Sequence, residues 1–136
     1  MKNILIICKG NINRSAVAGN ILRKNKGHVY NIQSAAIGDW HVGKQYSKQA
    51  RLWLDSNGYD KEGVPQQVDQ ELIDWADAII FMDENIRKHV LIHFNIDRIL
   101  LNCFEVEDPH KQTDKEYFAC FEQVELLLKT FNPPLG

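Results

Sequence analysis

Short, unbroken apolar runs alternate along this chain with stretches of helical periodicity, and that alternation narrows the fold more than any other feature. Ile4–Cys8 and Ala78–Met82 are continuous apolar runs of strand length. Val29–Ala36 mixes β-branched and small residues and reads as another strand, with Ile99–Leu101 as a short fourth. Between them, Ser15–Asn25 repeats apolar residues at Val17, Ala18, Ile21 and Leu22, a helical spacing. Ser47 is placed to cap a helix through Ala50, Leu52, Trp53 and Leu54, which Asn57-Gly58 would stop. Leu72–Ala76 reads as a short helix. Asp83 is placed to cap a further helix through Ile86, Val90, Leu91 and Phe94, and Tyr117–Phe131 reads as the closing helix. Strands that are apolar throughout are covered on both faces. Strand–helix alternation therefore predicts an α/β fold, a parallel sheet with helices on both faces. The 136 residues suit a single domain, 1–136, with the Pro133-Pro134 end as a short tail.

Composition removes several function classes. Sixteen basic and 18 acidic residues leave a net charge of −2, which disfavours nucleic acid as a partner. Three cysteines, Cys8, Cys103 and Cys120, are too few and odd in number for a secreted disulfide framework. Ile4–Ile7 is too short for a signal peptide core, and no apolar run approaches the roughly 20 residues of a membrane span. The expectation is a cytoplasmic protein with free thiols, no membrane partner and a monomeric state. Cys103 and Cys120 are expected to be small, buried, structural residues.

In open α/β sheets ligands gather beyond the carboxyl ends of the strands, so the first strand–helix turn is the leading candidate site. It reads Cys8-Lys9-Gly10-Asn11-Ile12-Asn13-Arg14-Ser15. Backbone amides of a tight loop at a helix N-terminus form an anion cradle. Gly10 and Asn11 tolerate the positive φ such a loop demands. Arg14 offers a planar fork for two phosphate oxygens. Cys8 would sit below the anion as a thiolate nucleophile, in line with phosphorus. Lys9 adds positive charge at the mouth, or is a solvated surface lysine. A leaving oxygen needs an acid, and Asp108, stiffened by Pro109 on a long polar loop, is the best candidate among many carboxylates. Trp40 lies on the loop after the second strand and is assigned to function, whereas Trp53 and Trp75 fall on apolar helical stripes and are assigned to the core. His89 and His93 are spaced i, i+4, but no third ligand accompanies them and no metal site is assigned.

The Cys8–Ser15 segment resembles the phosphate loop of the low-molecular-weight protein tyrosine phosphatases. The likeness continues through Ser34-Ala35-Ala36, Gly38-Asp39-Trp40-His41-Val42-Gly43, Met82-Asp83-Glu84-Asn85 and Val106-Glu107-Asp108-Pro109, in order along the chain. The resemblance implies a three-layer sandwich with a four-stranded parallel sheet in the order 2-1-3-4. It implies hydrolysis of phosphotyrosine in a protein, or of a small aryl phosphate, through a phosphocysteine on Cys8. Arg14 and the loop amides (Lys9, Gly10, Asn11, Ile12 and Asn13) would bind phosphate, and Asp108 would act as general acid and then base. Ser15 would hydrogen-bond the sulfur, Asn11 and Ser34 would brace the loop, and Ile12 and Trp40 would wall the slot for the aromatic ring. Phosphate and vanadate would inhibit, and no metal or other cofactor would be used.

Some positions depart from that pattern. Asn13 stands where many members carry a second cysteine, Ala16 where proline is usual, and Gly19 where glutamate is common. Gly63-Val64-Pro65-Gln66-Gln67 replaces a His-x-x-Arg-Gln-like stretch, so a supporting histidine is expected to be lost. His110 replaces the aromatic residue after Asp-Pro. Three other readings stay open. An arsenate reductase of the same fold would need further cysteines close together. An arginine phosphatase would carry threonine in place of Ile12. A catalytically idle phosphate- or partner-binding module is compatible with the altered supporting residues.

Overall fold

The computed structural model describes residues 1–97 and 100–131, and Leu100 by its backbone alone. The expected Ile99 strand start and the Pro133-Pro134 tail lie outside the described residues. The elements are β1 (Lys2–Cys8), α1 (Arg14–Lys26), β2 (Tyr30–Ala36), α2 (Lys48–Ser56), α3 (Gln70–Trp75), β3 (Ala78–Phe81), α4 (Glu84–His93), β4 (Leu100–Cys103) and α5 (Asp114–Thr130). The strands form one parallel sheet in the order β2-β1-β3-β4. The α/β sandwich and the strand order are those expected.

The apolar runs serve two cores at once. Along β1, Ile4, Ile6 and Cys8 face the side packed with Val17, Ile21, Leu54, Phe121 and Val124. Leu5 and Ile7, one residue out of phase, face Ile73, Ile86 and Val90. The period-2 pleat thus sends alternate side chains into opposite layers, and every position from Ile4 to Cys8 is buried. The same alternation in β3 splits Ala78 and Ile80 from Ile79 and Phe81. Cys8 ends up on the α1 and α5 side.

Caps fix the helix starts. Ser47, Asp69, Asp83 and Thr113 each accept a backbone N–H from the first turn of the helix that follows. Thr113 Oγ1 accepts Glu116 N–H and donates its own hydroxyl proton to Glu116 Oε1, so α5 begins at Asp114 and not near Tyr117. Likewise Asp69 starts α3 at Gln70, two residues before the apolar pattern shows it. Two burial expectations need correction. Trp53 is buried, but Trp75 is only half-buried against the second core. Cys120 is buried in α5, whereas Cys103, at the end of β4, is half-buried.

β1 lies between β2 and β3, so the chain leaves it toward one neighbour through α1 and later returns to the other side. The carboxyl end of β1 is therefore the switch point. Three strand ends converge there through backbone bonds: Ile37 N–H to Cys8 O at 3.0 Å, Met82 N–H to Ile7 O at 3.1 Å, and Val106 N–H to Met82 O at 2.9 Å.

Candidate active site

Beyond those strand ends lies a cleft of about 340 Å³, lined by Cys8, Lys9, Gly10, Ile12, Asn13, Arg14, Trp40, His41, Asp108 and His110. Two hydrogen bonds converge on its sulfur. Ser15 Oγ lies 2.8 Å from Cys8 Sγ, and Asn11 N–H points at the same atom from 3.2 Å. Cys120, 17 positions beyond Cys103, carries its Sγ toward Glu107 O, at 3.7 Å.

The loop holds its shape through one buried amide. Asn11 sits at φ 57°, in the left-handed region. Its Nδ2 donates to Ser15 Oγ at 2.8 Å and to Ser34 Oγ at 3.0 Å, while its Oδ1 accepts the backbone N–H of Gln66 at 3.1 Å. The expectation for Gly10 needs correction, because positive φ in this loop falls on Asn11 alone. Gly10 instead gives His41 room: a Cβ there would stand 3.0 Å from Cδ2 of His41, and the ring would have to give by a few tenths of an ångström.

Arg14 is 2 % exposed, at the first position of α1. One terminal nitrogen, Nη1, donates to Asp83 Oδ2 at 2.7 Å and to Val106 O at 2.8 Å. The other, Nη2, lies 3.8 Å from Asp108 Oδ2, too far for a hydrogen bond. Burial alone disfavours the Arg14 charge, but Cys8, Asp83 and Asp108 together outweigh it and push its pKa above the ordinary value. Asp108 accepts His110 N–H on Oδ1 at 3.0 Å, which leaves Oδ2 facing the guanidinium.

The family profile described as low molecular weight phosphotyrosine protein phosphatase matches residues 3–135. The chain belongs to that family. The YfkJ phosphatase of Bacillus subtilis (strain 168), named a low molecular weight protein-tyrosine-phosphatase, is 35% identical over 141 aligned positions, covering 96% of this chain and 90% of the relative. Among solved structures, Vibrio vulnificus Wzb in complex with benzylphosphonate superposes with a TM-score of 0.87 at 21% identity over 94% of each chain. The YwlE arginine phosphatase from Geobacillus stearothermophilus has a TM-score of 0.73 at 20% identity, covering 95% of this chain and 89% of that one. These two likenesses are statements about fold.

Within this phosphatase family the chain's departures acquire a physical reading. Gln66, in the 63–67 stretch, orients Asn11 with its backbone N–H. The segment is pinned by Ala36 N–H to Gln66 O and Val68 N–H to Ala36 O, both 2.8 Å. At Gly19 a Cβ would meet Ser34 Oγ at 3.4 Å, an ordinary van der Waals contact, so space at Ser34 does not demand glycine there. Trp40 stands at the cleft mouth, 54 % exposed, with Lys9 Nζ 5.8 Å from its ring centre.

Two site residues escaped the sequence reading. Asp83 entered only as a helix cap and part of a matched segment, and His41 only as part of a matched segment. Asp83 Oδ1 does cap α4, at 2.9 Å from Ile86 N, while Oδ2 holds Arg14. His89 and His93 lie on α4 with rings stacked at 4.2 Å. Burial and the neighbouring His93 hold the His89 pKa below its usual value. Among the described residues no group of three or more His, Cys, Asp or Glu side chains is arranged to hold a metal ion, and no helix is long and apolar enough to cross a membrane.

Proposed function

We propose that residues 1–136 form one catalytic domain that hydrolyses phosphotyrosine and small aryl phosphates through a phosphocysteine. One observation carries the reading: the Cys8 sulfur, with two hydrogen-bond donors on it, and the buried Arg14 guanidinium line the same cleft. Cys8 attacks phosphorus as the P–O bond to the aryl group breaks, and Asp108 Oδ2 gives its proton to the departing phenolate. The charge that builds on the equatorial oxygens meets the loop amides and Arg14 Nη2, the guanidinium end that Asp83 leaves free. The Asp108 carboxylate then takes a proton from water as that water attacks phosphorus and the P–S bond breaks. Phosphate departs and Cys8 leaves as thiolate, with Ser15 Oγ stabilising the sulfur. Lys9, Ile12 and Trp40 contact the organic part of the substrate. The apolar Ile12 wall favours an aryl ring over a phosphoguanidinium. A cytoplasmic location and inhibition by phosphate and vanadate complete the proposal.

The test is hydrolysis of para-nitrophenyl phosphate without added metal. Wild type is expected to turn over, and Cys8→Ser to be inactive. Unchanged turnover in Cys8→Ser would end the phosphocysteine reading.

A further inference from the structure

The phosphate loop carries one polar side chain that this reaction leaves unused. Asn13 is 7 % exposed, yet it lines the cleft beside Cys8 and Arg14. One end of its carboxamide is anchored. Ser47 Oγ accepts the N–H of Ala50 at 3.0 Å as the cap of α2. The Ser47 hydroxyl proton is then free for a different acceptor, and Asn13 Oδ1 receives it. Ser47 N–H also donates to Ile12 O at 3.0 Å, so the start of α2 is tied to the loop twice.

An amide whose oxygen is committed in this way presents its nitrogen on the opposite side. Asn13 Nδ2 has no hydrogen-bond partner among the described residues. Yet no fully buried side-chain nitrogen or oxygen among them lacks a partner. Nδ2 therefore keeps access to open space, and the space Asn13 adjoins is the cleft. The site has use for such a donor, because Arg14 Nη1 is occupied by Asp83 and Val106, which leaves only Nε and Nη2 of the guanidinium for the anion. A neutral N–H donor to a dianionic phosphoryl group makes a charge-assisted bond.

We infer that Asn13 is a substrate-binding residue, its Nδ2–H donating to a non-bridging oxygen of the phosphoryl group, and that Ser47 is the positioning residue that aims it. The inference rests on the phosphatase reading for its substrate. The binding claim itself concerns any tetrahedral oxyanion.

Three variants separate a donor from a mere loop anchor. Asn13→Leu and Ser47→Ala both remove the bond between the two residues, but only Asn13→Leu removes the donor. Asn13→Asp keeps an acceptor for Ser47 and puts negative charge where the donor was. Binding of inorganic phosphate is followed by titration calorimetry and of vanadate by inhibition of para-nitrophenyl phosphate hydrolysis, with circular dichroism as the check on folding. Loss of a hydrogen bond to a charged group predicts about tenfold weaker oxyanion binding in Asn13→Leu and no more than about threefold in Ser47→Ala. Asn13→Asp is expected to be weaker than Asn13→Leu. Equal binding by Asn13→Leu and Ser47→Ala, or wild-type binding by Asn13→Asp, would overturn the inference. Should Asn13→Leu fail to fold, Asn13→Asp decides alone. Calorimetry with phosphate needs no turnover, so a wild type that binds phosphate without hydrolysing ester would refute the enzyme reading and still test the donor.

Discussion

Asp83 holds Arg14 with one carboxylate oxygen and caps α4 with the other, 2.7 Å and 2.9 Å from its two partners. A single side chain thus sets both the aim of the guanidinium and the start of a helix. The two jobs separate by substitution. Asp83→Asn keeps a good cap but loses the ionic partner of a buried arginine. It is expected to lower kcat/KM at least tenfold while costing little of the cap contribution. Asp83→Ala loses both, and is expected to destabilise the fold by roughly 2–4 kcal/mol. Urea unfolding read beside steady-state kinetics checks this, and a wild-type kcat/KM in Asp83→Asn would show that Arg14 does not depend on it.

Asp108 presents Oδ2 toward the cleft because His110 N–H occupies Oδ1. As the proposed proton donor it matters most where the leaving oxygen is most basic. Asp108→Asn is expected to slow phenyl phosphate cleavage by about 10²–10⁴-fold, and to slow para-nitrophenyl phosphate, with its better leaving group, distinctly less. A series of substituted aryl phosphates gives the slope. Equal effects across the series would remove Asp108 as the acid.

The three thiols differ in surroundings, which predicts selective alkylation. Burial is the largest cause pushing the Cys120 pKa up to about 12, and burial with the nearby Glu84 carboxylate also raises that of Cys103. A raised thiol pKa means less thiolate, and thiolate is the species that alkylates. At pH 8 a pKa of about 12 leaves a thiolate fraction near 10⁻⁴, some thousandfold below an ordinary cysteine. Iodoacetamide on the folded protein is therefore expected to label Cys8, which lines the open cleft. Cys120 should react only on unfolding, and phosphate or vanadate should protect Cys8. Peptide mapping reads all three. Native labelling of Cys120 at the rate seen in urea would contradict the assignment.

Asn11 combines a left-handed backbone with three side-chain hydrogen bonds, and two substitutions divide those terms. Asn11→Gly relieves the backbone strain that Asn11→Ala retains, while both abandon Ser15, Ser34 and the Gln66 N–H. Asn11→Gly is expected to be the more stable variant by about 1 kcal/mol. Both should lose most activity, since Ser15 loses the partner that orients it toward sulfur. A fully active Asn11→Gly would mean that φ alone matters at this position.

What could be read from the residues divides along a physical line. Cys8, Asn11, Arg14 and Ser15 were legible because one turn carries them all, and the strands because burial on both faces leaves no polar position to interrupt Ile4–Cys8. The Arg14–Asp83 pair was not legible, since 69 positions separate its members and only the β1–β3 pairing unites them. Gln66 was unreadable for a different reason: it acts through its backbone N–H, which every residue but proline possesses. The position of His41 follows from the bare Gly10 backbone beneath it, a matter of packing with no sequence spacing to announce it. By contrast, the early start of α5 did have a signal, the Thr-x-x-Glu spacing of Thr113 and Glu116.

The wall of the cleft mouth rests on a contact that a single methyl group would break. Trp40 packs its ring against Gly38 so closely that a Cβ there would fall 2.1 Å from Cζ3. Gly38→Ala must therefore displace the indole, while leaving Cys8, Arg14 and Asp108 untouched in sequence. Trp40→Ala removes the indole outright from a 54 % exposed position, so its stability cost is expected to stay within about 0.5–1 kcal/mol. If the ring stacks on the substrate's aryl group, both variants should raise KM for para-nitrophenyl phosphate about threefold to tenfold, the range of an aromatic contact. Inhibition by inorganic phosphate, which has no ring, should hold within twofold of wild type. That split between ester and free oxyanion identifies a wall for the aryl group, whereas a parallel loss in both would show that the Gly38–Trp40 segment shapes the phosphate loop itself.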